Sequence, residues 1–179
     1  MDSWGQVAQK SRVPVGTLLG VLFLLLMHPS RRSLWLGGAA ALIGALIRLW
    51  AAGHIDKGRA LARGGPYSLT RNPLYLGSFI MAVGVLVAGQ GYWLLLPFGL
   101  FFFVFYYPVM KREEQELLQG YGPDFIEYAR RVPLFLPRFR AADSNTSTFL
   151  WSRVVKNREH RTLAVLLLTE FFLYLKLMY

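Results

Sequence analysis

Five apolar stretches dominate this 179-residue sequence, each close to the length a lipid bilayer demands of a helix. A spanning helix takes about 20 mostly apolar residues, within a range of about 17–25. The stretches are 13–28, with a core from Leu18 to Met27; 34–53, clean except for Arg48, which can snorkel from near its end; 74–89; 92–110; and 162–179, which carries Glu170 and Lys176. Apolar side chains make up 54% of the chain and charged ones 17%, so five such helices in a soluble protein would leave too little polar surface. The expected architecture is all-α: a polytopic integral membrane protein of about five transmembrane helices, forming a single membrane domain over 1–179. Lys10 and Arg12 precede the first stretch as in a signal peptide. No A-x-A-like site follows in His28–Arg32, so the stretch is expected to be retained.

Only Gly89-Gln90-Gly91 separates the third and fourth stretches, which predicts an antiparallel helical hairpin. Gly16 and Gly20, with Gly37, Gly38, Ala41, Gly44 and Ala45, are small enough to let the first two helices pack closely. Ala141–Ser147 is small and polar and reads as a linker. The basic, aromatic-led segment 148–161 is expected to lie on lipid headgroups before the last helix, 162–179.

The net charge is +10, from 20 Lys and Arg against 10 Asp and Glu. Its placement matters more than its size. Arg48, Lys57, Arg59, Arg63 and Arg71 fall between residues 48 and 71 with Asp56 as their one acid, and basic residues again outnumber acids over 111–161, whereas the hairpin tip carries no charge. By the positive-inside rule both basic blocks face the cytoplasm and the tip faces out. Arg31 and Arg32 would then lie outside, mildly against the scheme. Anionic membrane lipids, not nucleic acid, are the partners this charge implies. A bacterial inner membrane, with the active site open to the cytoplasm, is the expected location.

There are no cysteines, which excludes disulfides and thiol chemistry. His28, His54 and His160 fall at three different membrane edges with no carboxylate at ligand spacing, so no metal site is expected. Neither a dinucleotide fingerprint nor a Walker A loop is present. Glu170 is an intramembrane ionisable residue, a functional candidate by default, although Lys176 two turns on could simply pair with it.

The remaining chemistry lies in two polar blocks. One is His54-Ile55-Asp56-Lys57, then Gly65-Pro66-Tyr67 and Arg71-Asn72-Pro73-Leu74-Tyr75-Leu76-Gly77. The other is Glu113-Glu114-Gln115-Glu116-Leu117, then Tyr121-Gly122, Phe125, Tyr128 and Arg131-Val132-Pro133. A hairpin brings the start of its first helix beside the end of its second, so Arg71–Tyr75 and Glu113–Glu114 should meet in space. Asn72 suits an N-cap and Pro73 the first helical position. Arg71 beside that helix N-terminus makes an anion-seeking site. Two acids at the end of a span are unfavourable for the helix dipole unless the helix continues, which it should do to about Leu118.

Together, Gly65-Pro-Tyr, Arg71-Asn-Pro-x-Tyr-x-Gly77 and Glu113-Glu-x-x-Leu with Tyr121-Gly-x-x-Phe-x-x-Tyr128 resemble the isoprenylcysteine carboxyl methyltransferase and phospholipid methyltransferase superfamily over residues of about 50–137. Asn72 stands where eukaryotic members usually carry His; Asn keeps a hydrogen bond but cannot act as a titrating base. The resemblance implies an S-adenosylmethionine pocket, with S-adenosylhomocysteine as product. His54, Lys57, Asn72, Pro73, Tyr75, Gly77, Gly84, Glu113 and Glu114 would hold the cofactor, and Tyr67, Tyr128 and Arg131 the substrate. Arg71, Glu114 and Arg131 would be the catalytic set. The acceptor implied is a lipid-like or lipidated molecule. A carboxylate acceptor, the favoured one, needs no base and an orienting cation such as Arg71 or Arg131. An amine acceptor needs a base, from Glu114, Tyr75 or His54. The alternatives are an NADPH-dependent membrane reductase related to sterol C14-reductases, and a non-catalytic lipid-binding protein.

Overall fold

A computed structural model describes residues 3–56, 60–138 and 148–179; Lys57 and the Ala141–Ser147 linker lie outside the described residues. Seven α-helices follow in order among the described residues: α1 (Ser3–Leu26), α2 (Arg31–His54), α3 (Pro73–Ala88), α4 (Leu95–Tyr121), α5 (Pro123–Arg131), α6 (Trp151–Lys156) and α7 (Glu159–Met178). Short 3-10 turns at Gly65–Ser68 and Tyr92–Leu94 lead into α3 and α4, and no strand occurs among the described residues. Arg31–His54 and Tyr92–Tyr121 are long and apolar enough to cross a membrane; Val13–Leu26 and Pro73–Ala88 are shorter apolar helices. Large apolar side chains such as Leu18, Leu42, Leu46, Leu100 and Leu167 point outward, as in a helical protein whose solvent is lipid.

The tightest packing is between α2 and α3, through backbone rather than side chains. A Cβ on Gly37 would lie 2.1 Å from the Ala88 amide nitrogen, and one on Gly44 would lie 2.5 Å from that of Met81. From the other side, a Cβ on Gly84 would lie 2.4 Å from the Ala41 nitrogen. Gly37 and Gly44 face Gly84 and Gly77, each pair two helical turns apart, so the two small-residue stripes match in register. This corrects the expectation that the stripe joins the first two helices. α1 runs along α4 instead, with Gly16 opposite Phe101, while Gly20 meets nothing.

Ser30 and Ser33 start α2 with a reciprocal capping box, and the Ser33 hydroxyl also donates to the Ala88 carbonyl at 2.9 Å, fixing the start of α2 to the end of α3. The α3–α4 hairpin turns at Gly89–Gly91 with Gln90 at positive φ. Phe79 of α3 packs on Phe98 and Phe102 of α4, and Phe102 stacks on Tyr106 at 4.6 Å. Beyond its apolar part α4 continues to Tyr121, one turn past Leu118.

α5 turns Phe125 and Tyr128 inward. The segment after it returns under the start of α3. The Arg71 amide donates to the Pro133 carbonyl at 2.9 Å, and the Arg138 amide to the Leu69 carbonyl at 2.9 Å. Asn72 stands at the N-cap position of α3, but its side chain makes no capping bond and serves this seam instead: its amide, as oriented, donates to the Leu134 carbonyl at 3.0 Å. Lys176 likewise has another partner than Glu170. Its ammonium donates to the carbonyls of Leu24, Leu25 and Met27 at 3.1, 2.9 and 2.6 Å, closing the C-terminal end of α1. Glu170 rests against Gly38 of α2 with one buried carboxylate oxygen unpartnered.

Candidate functional site

A cavity of about 510 Å³ opens where the start of α3 meets the polar C-terminal extension of α4. The first turn of α3 contributes Pro73 and Tyr75, with Arg71 and Asn72 just before it; α4 contributes Met110, Glu113, Glu114 and Leu117. Across the hairpin the Tyr75 hydroxyl donates to Glu113 at 2.7 Å, and Arg71 pairs with Glu114. Lys111 reaches the other oxygen of Glu114 at 2.9 Å. The two blocks that the hairpin was expected to unite are therefore in contact through both acids.

Tyr67 and Tyr128 form another wall. Tyr67 is 5% exposed; its carbonyl accepts the Tyr128 hydroxyl at 2.7 Å, while its own hydroxyl has no partner. Burial pushes both phenols well above their ordinary value, with the Tyr67–Tyr128 interaction raising Tyr67 further, so both stay protonated through the neutral range. Arg71 Nε is also buried without an acceptor. Two residues of the cavity lining thus each carry one buried donor that nothing in the protein receives, and unsatisfied groups of this kind at a cavity point to a ligand acceptor.

The last wall was not anticipated. Arg48, expected to snorkel, turns inward and pairs with Glu159 at 2.7 Å, and both residues line the cavity together with Asn157. Glu159, the one acid of the otherwise basic run Arg158–Arg161, is only 5% exposed. The one available signal was a charged residue inside an otherwise apolar helix, which asks for a partner when it turns inward. Four carboxylates (Glu113, Glu114, Glu116 and Glu159) meet two guanidinium groups (Arg48 and Arg71) in this cavity. The surroundings of a strongly basic chain are therefore locally acidic.

The structure places the other expected site residues elsewhere. Gly77 and Gly84 lie in the α2–α3 seam, where a side chain would collide with α2 backbone or the Arg48 stem. His54 is buried behind the cavity between Trp50 and Phe149, its Nδ1 2.8 Å from the Trp50 carbonyl. Gly65, at φ +59, passes so close to that ring that a Cβ would lie 2.6 Å from it. Arg131 pairs with Glu127 one turn back at 2.5 Å, with 49% of its side chain exposed, and does not line the cavity. Among the described residues no group of three His, Asp or Glu side chains is placed to hold a metal ion.

Residues 33–124 match the family model of the phospholipid methyltransferases, a span that runs from the start of α2 to the end of α4 and holds Arg48, Arg71, Tyr75, Glu113 and Glu114. The chain belongs to the phospholipid methyltransferase family. Two bacterial relatives are known as resistance proteins. The nickel-cobalt-cadmium resistance protein NccN of Alcaligenes xylosoxydans xylosoxydans is 34% identical over 148 residues, 78% of this chain and 68% of that protein. The cobalt-zinc-cadmium resistance protein CzcN of Cupriavidus metallidurans is 37% identical over 107 residues, 58% of this chain and 47% of that protein. The delta(14)-sterol reductase TM7SF2 of Mus musculus is 39% identical over 82 residues, 42% of this chain and 18% of the mouse protein. No solved structure matches. The phospholipid methyltransferase match stops at residue 124, so Phe125, Tyr128, Asn157 and Glu159 complete the cavity from outside it.

Proposed function

We propose that this family member is a membrane methyltransferase that uses S-adenosylmethionine and modifies a lipid-like or lipidated acceptor from the cytoplasmic side of a bacterial inner membrane. The observation that carries the reading is the cavity itself, with an acidic pair from α4 held by Tyr75 and Arg71, and with the Tyr67 hydroxyl and Arg71 Nε left as unsatisfied donors. The donor set suits the cofactor. An excess of carboxylates favours its sulfonium and ammonium charges, and Glu113 or Glu114 suits the ammonium or ribose hydroxyls. Arg71 Nε suits its carboxylate or that of the acceptor, and Met110 and Leu117 offer apolar contact to the adenine.

When bound, this cofactor supplies an electrophilic methyl group for an in-line displacement. The protein's part is positioning and exclusion of water, which do not require a proton carrier. A carboxylate acceptor is favoured because it needs no base and because Arg71 keeps a buried donor free to orient it. The acidic balance of the cavity supports a second reading, an amine acceptor whose proton passes to Glu113 or Glu114. Lipid access from the side accords with the apolar outer face of α4, where Leu96, Leu100 and Val104 are exposed. A nicotinamide-dependent reductase is the competing activity, given the partial likeness to a sterol reductase. Calorimetric titration of the purified, folded protein separates the readings: S-adenosylhomocysteine binds and NADPH does not.

A further inference from the structure

Arg48 makes more contacts than an ion pair needs. Its Nε and one terminal nitrogen chelate the Glu159 carboxylate at 3.0 and 2.7 Å, which alone would join α2 to α7. The remaining terminal nitrogen reaches α3, donating to the Leu74 carbonyl at 3.1 Å and to the Ser78 hydroxyl at 2.5 Å. Ser78 in turn donates to the same Leu74 carbonyl at 2.9 Å. The stem gets there through a gap left by a missing side chain: a Cβ on Gly77 would lie 2.6 Å from Arg48 Cγ. Four of the five guanidinium N–H donors are engaged inside the protein, which leaves at most one for a ligand. The carbonyl it grips is in the first turn of α3, one residue before Tyr75, whose hydroxyl holds Glu113.

We propose that Arg48 is a positioning residue of the site: through the Leu74 carbonyl it sets the Tyr75–Glu113 contact, and through Glu159 it makes the C-terminal helix α7 part of the active-site wall. The consequence for binding rests on the cofactor reading above; the positioning itself does not. Glu159 lies beyond the matched family segment, so this chain's own C-terminal region supplies the partner. Asn157 strengthens the corner by donating to the Ala52 carbonyl at 3.0 Å at the end of α2. A buried pair of this kind is weak evidence of stability, because desolvation offsets much of the attraction. Its geometry toward α3 is what calls for a role.

The test labels the protein with 3-fluorotyrosine and assigns the Tyr75 resonance by its loss in Tyr75→Phe. Ser78→Ala keeps the Arg48–Glu159 pair and removes one arm of the Leu74 anchor. It is expected to move the Tyr75 resonance and to weaken S-adenosylhomocysteine binding roughly threefold or more, with an unchanged melting temperature. The charge swap Arg48→Glu with Glu159→Arg restores a bridge between α2 and α7 but not the grip on Leu74. It is expected to regain the melting temperature lost in Glu159→Arg alone, while the resonance stays displaced and affinity stays roughly tenfold down. A Tyr75 resonance unmoved in Ser78→Ala, or a swap that restores both resonance and affinity, would make the pair a plain staple and overturn the proposal. Wild-type protein that binds no S-adenosylhomocysteine would defeat the cofactor reading alone, since the fluorine signal tests the positioning without a ligand.

Discussion

The Tyr75 hydroxyl on α3 donates to the Glu113 carboxylate on α4 at 2.7 Å, across 38 residues of sequence. One helix start and one helix end are joined here at the mouth of a cavity. A hydrogen bond to a charged group contributes about 1.5–3 kcal/mol, and this one also orients the acid. Tyr75→Phe should therefore weaken S-adenosylhomocysteine binding by about tenfold while leaving the fold intact, read by calorimetry and circular dichroism. Equal affinity in wild type and variant would remove Glu113 from the binding set.

The two buried tyrosines should respond oppositely. Tyr128→Phe strands the buried Tyr67 carbonyl that accepts its hydroxyl, and should cost about 1–3 kcal/mol. Tyr67→Phe removes a buried hydroxyl that has no partner in the protein, so unfolding should be unchanged or slightly harder. Ligand affinity should nevertheless fall in Tyr67→Phe. Denaturant midpoints for the two variants check the contrast; a larger loss for Tyr67→Phe would show that the fold itself uses that hydroxyl.

Alkaline stability follows from the same pair. Burial raises both phenols in the folded state above their ordinary value near 10. The unfolded chain therefore releases these protons first as pH rises. The contribution of both groups is constant below about pH 10 and is lost progressively above it. Melting temperature measured from pH 8 to 11 should fall at the alkaline end, and the fall should be shallower in the Tyr67→Phe, Tyr128→Phe double variant. The same slope in both proteins would contradict it.

The α2–α3 seam gives a packing prediction. Gly44→Ala would place a Cβ 2.5 Å from the Met81 nitrogen and 2.6 Å from the Gly77 carbonyl, a collision with backbone that no side-chain movement relieves, and should cost about 1–3 kcal/mol. Gly20→Ala meets nothing within 4 Å and should be neutral or stabilising by up to about 1 kcal/mol through helix propensity. Thermal unfolding in detergent compares the two.

These outcomes also mark what was legible in the sequence. The convergence of Arg71–Tyr75 on Glu113–Glu114 could be foreseen because two apolar stretches of similar length with a three-residue turn between them admit one arrangement. The choice of partner for the Gly37–Gly44 stripe could not: small residues announce a close approach without naming the other helix, and the match with Gly77 and Gly84 appears only when registers are compared. Arg48 near a span end has two outcomes of similar cost, snorkelling to the surface or turning inward to an acid. The acid that decides it, Glu159, sits 111 residues away in a run of basic neighbours. Asn72 had the right chemistry for a cap, but the Leu134 carbonyl competes for its side chain, and that segment returns only through tertiary structure.

The most direct measurement is calorimetric titration of the purified protein with S-adenosylhomocysteine, with NADPH as control and Glu113→Ala as the site variant. Binding at a single site, no response to NADPH, and loss of binding in a Glu113→Ala protein that melts as a folded one are the expected results. Folded wild-type protein that ignores S-adenosylhomocysteine, or that binds NADPH in its place, would contradict the cofactor reading.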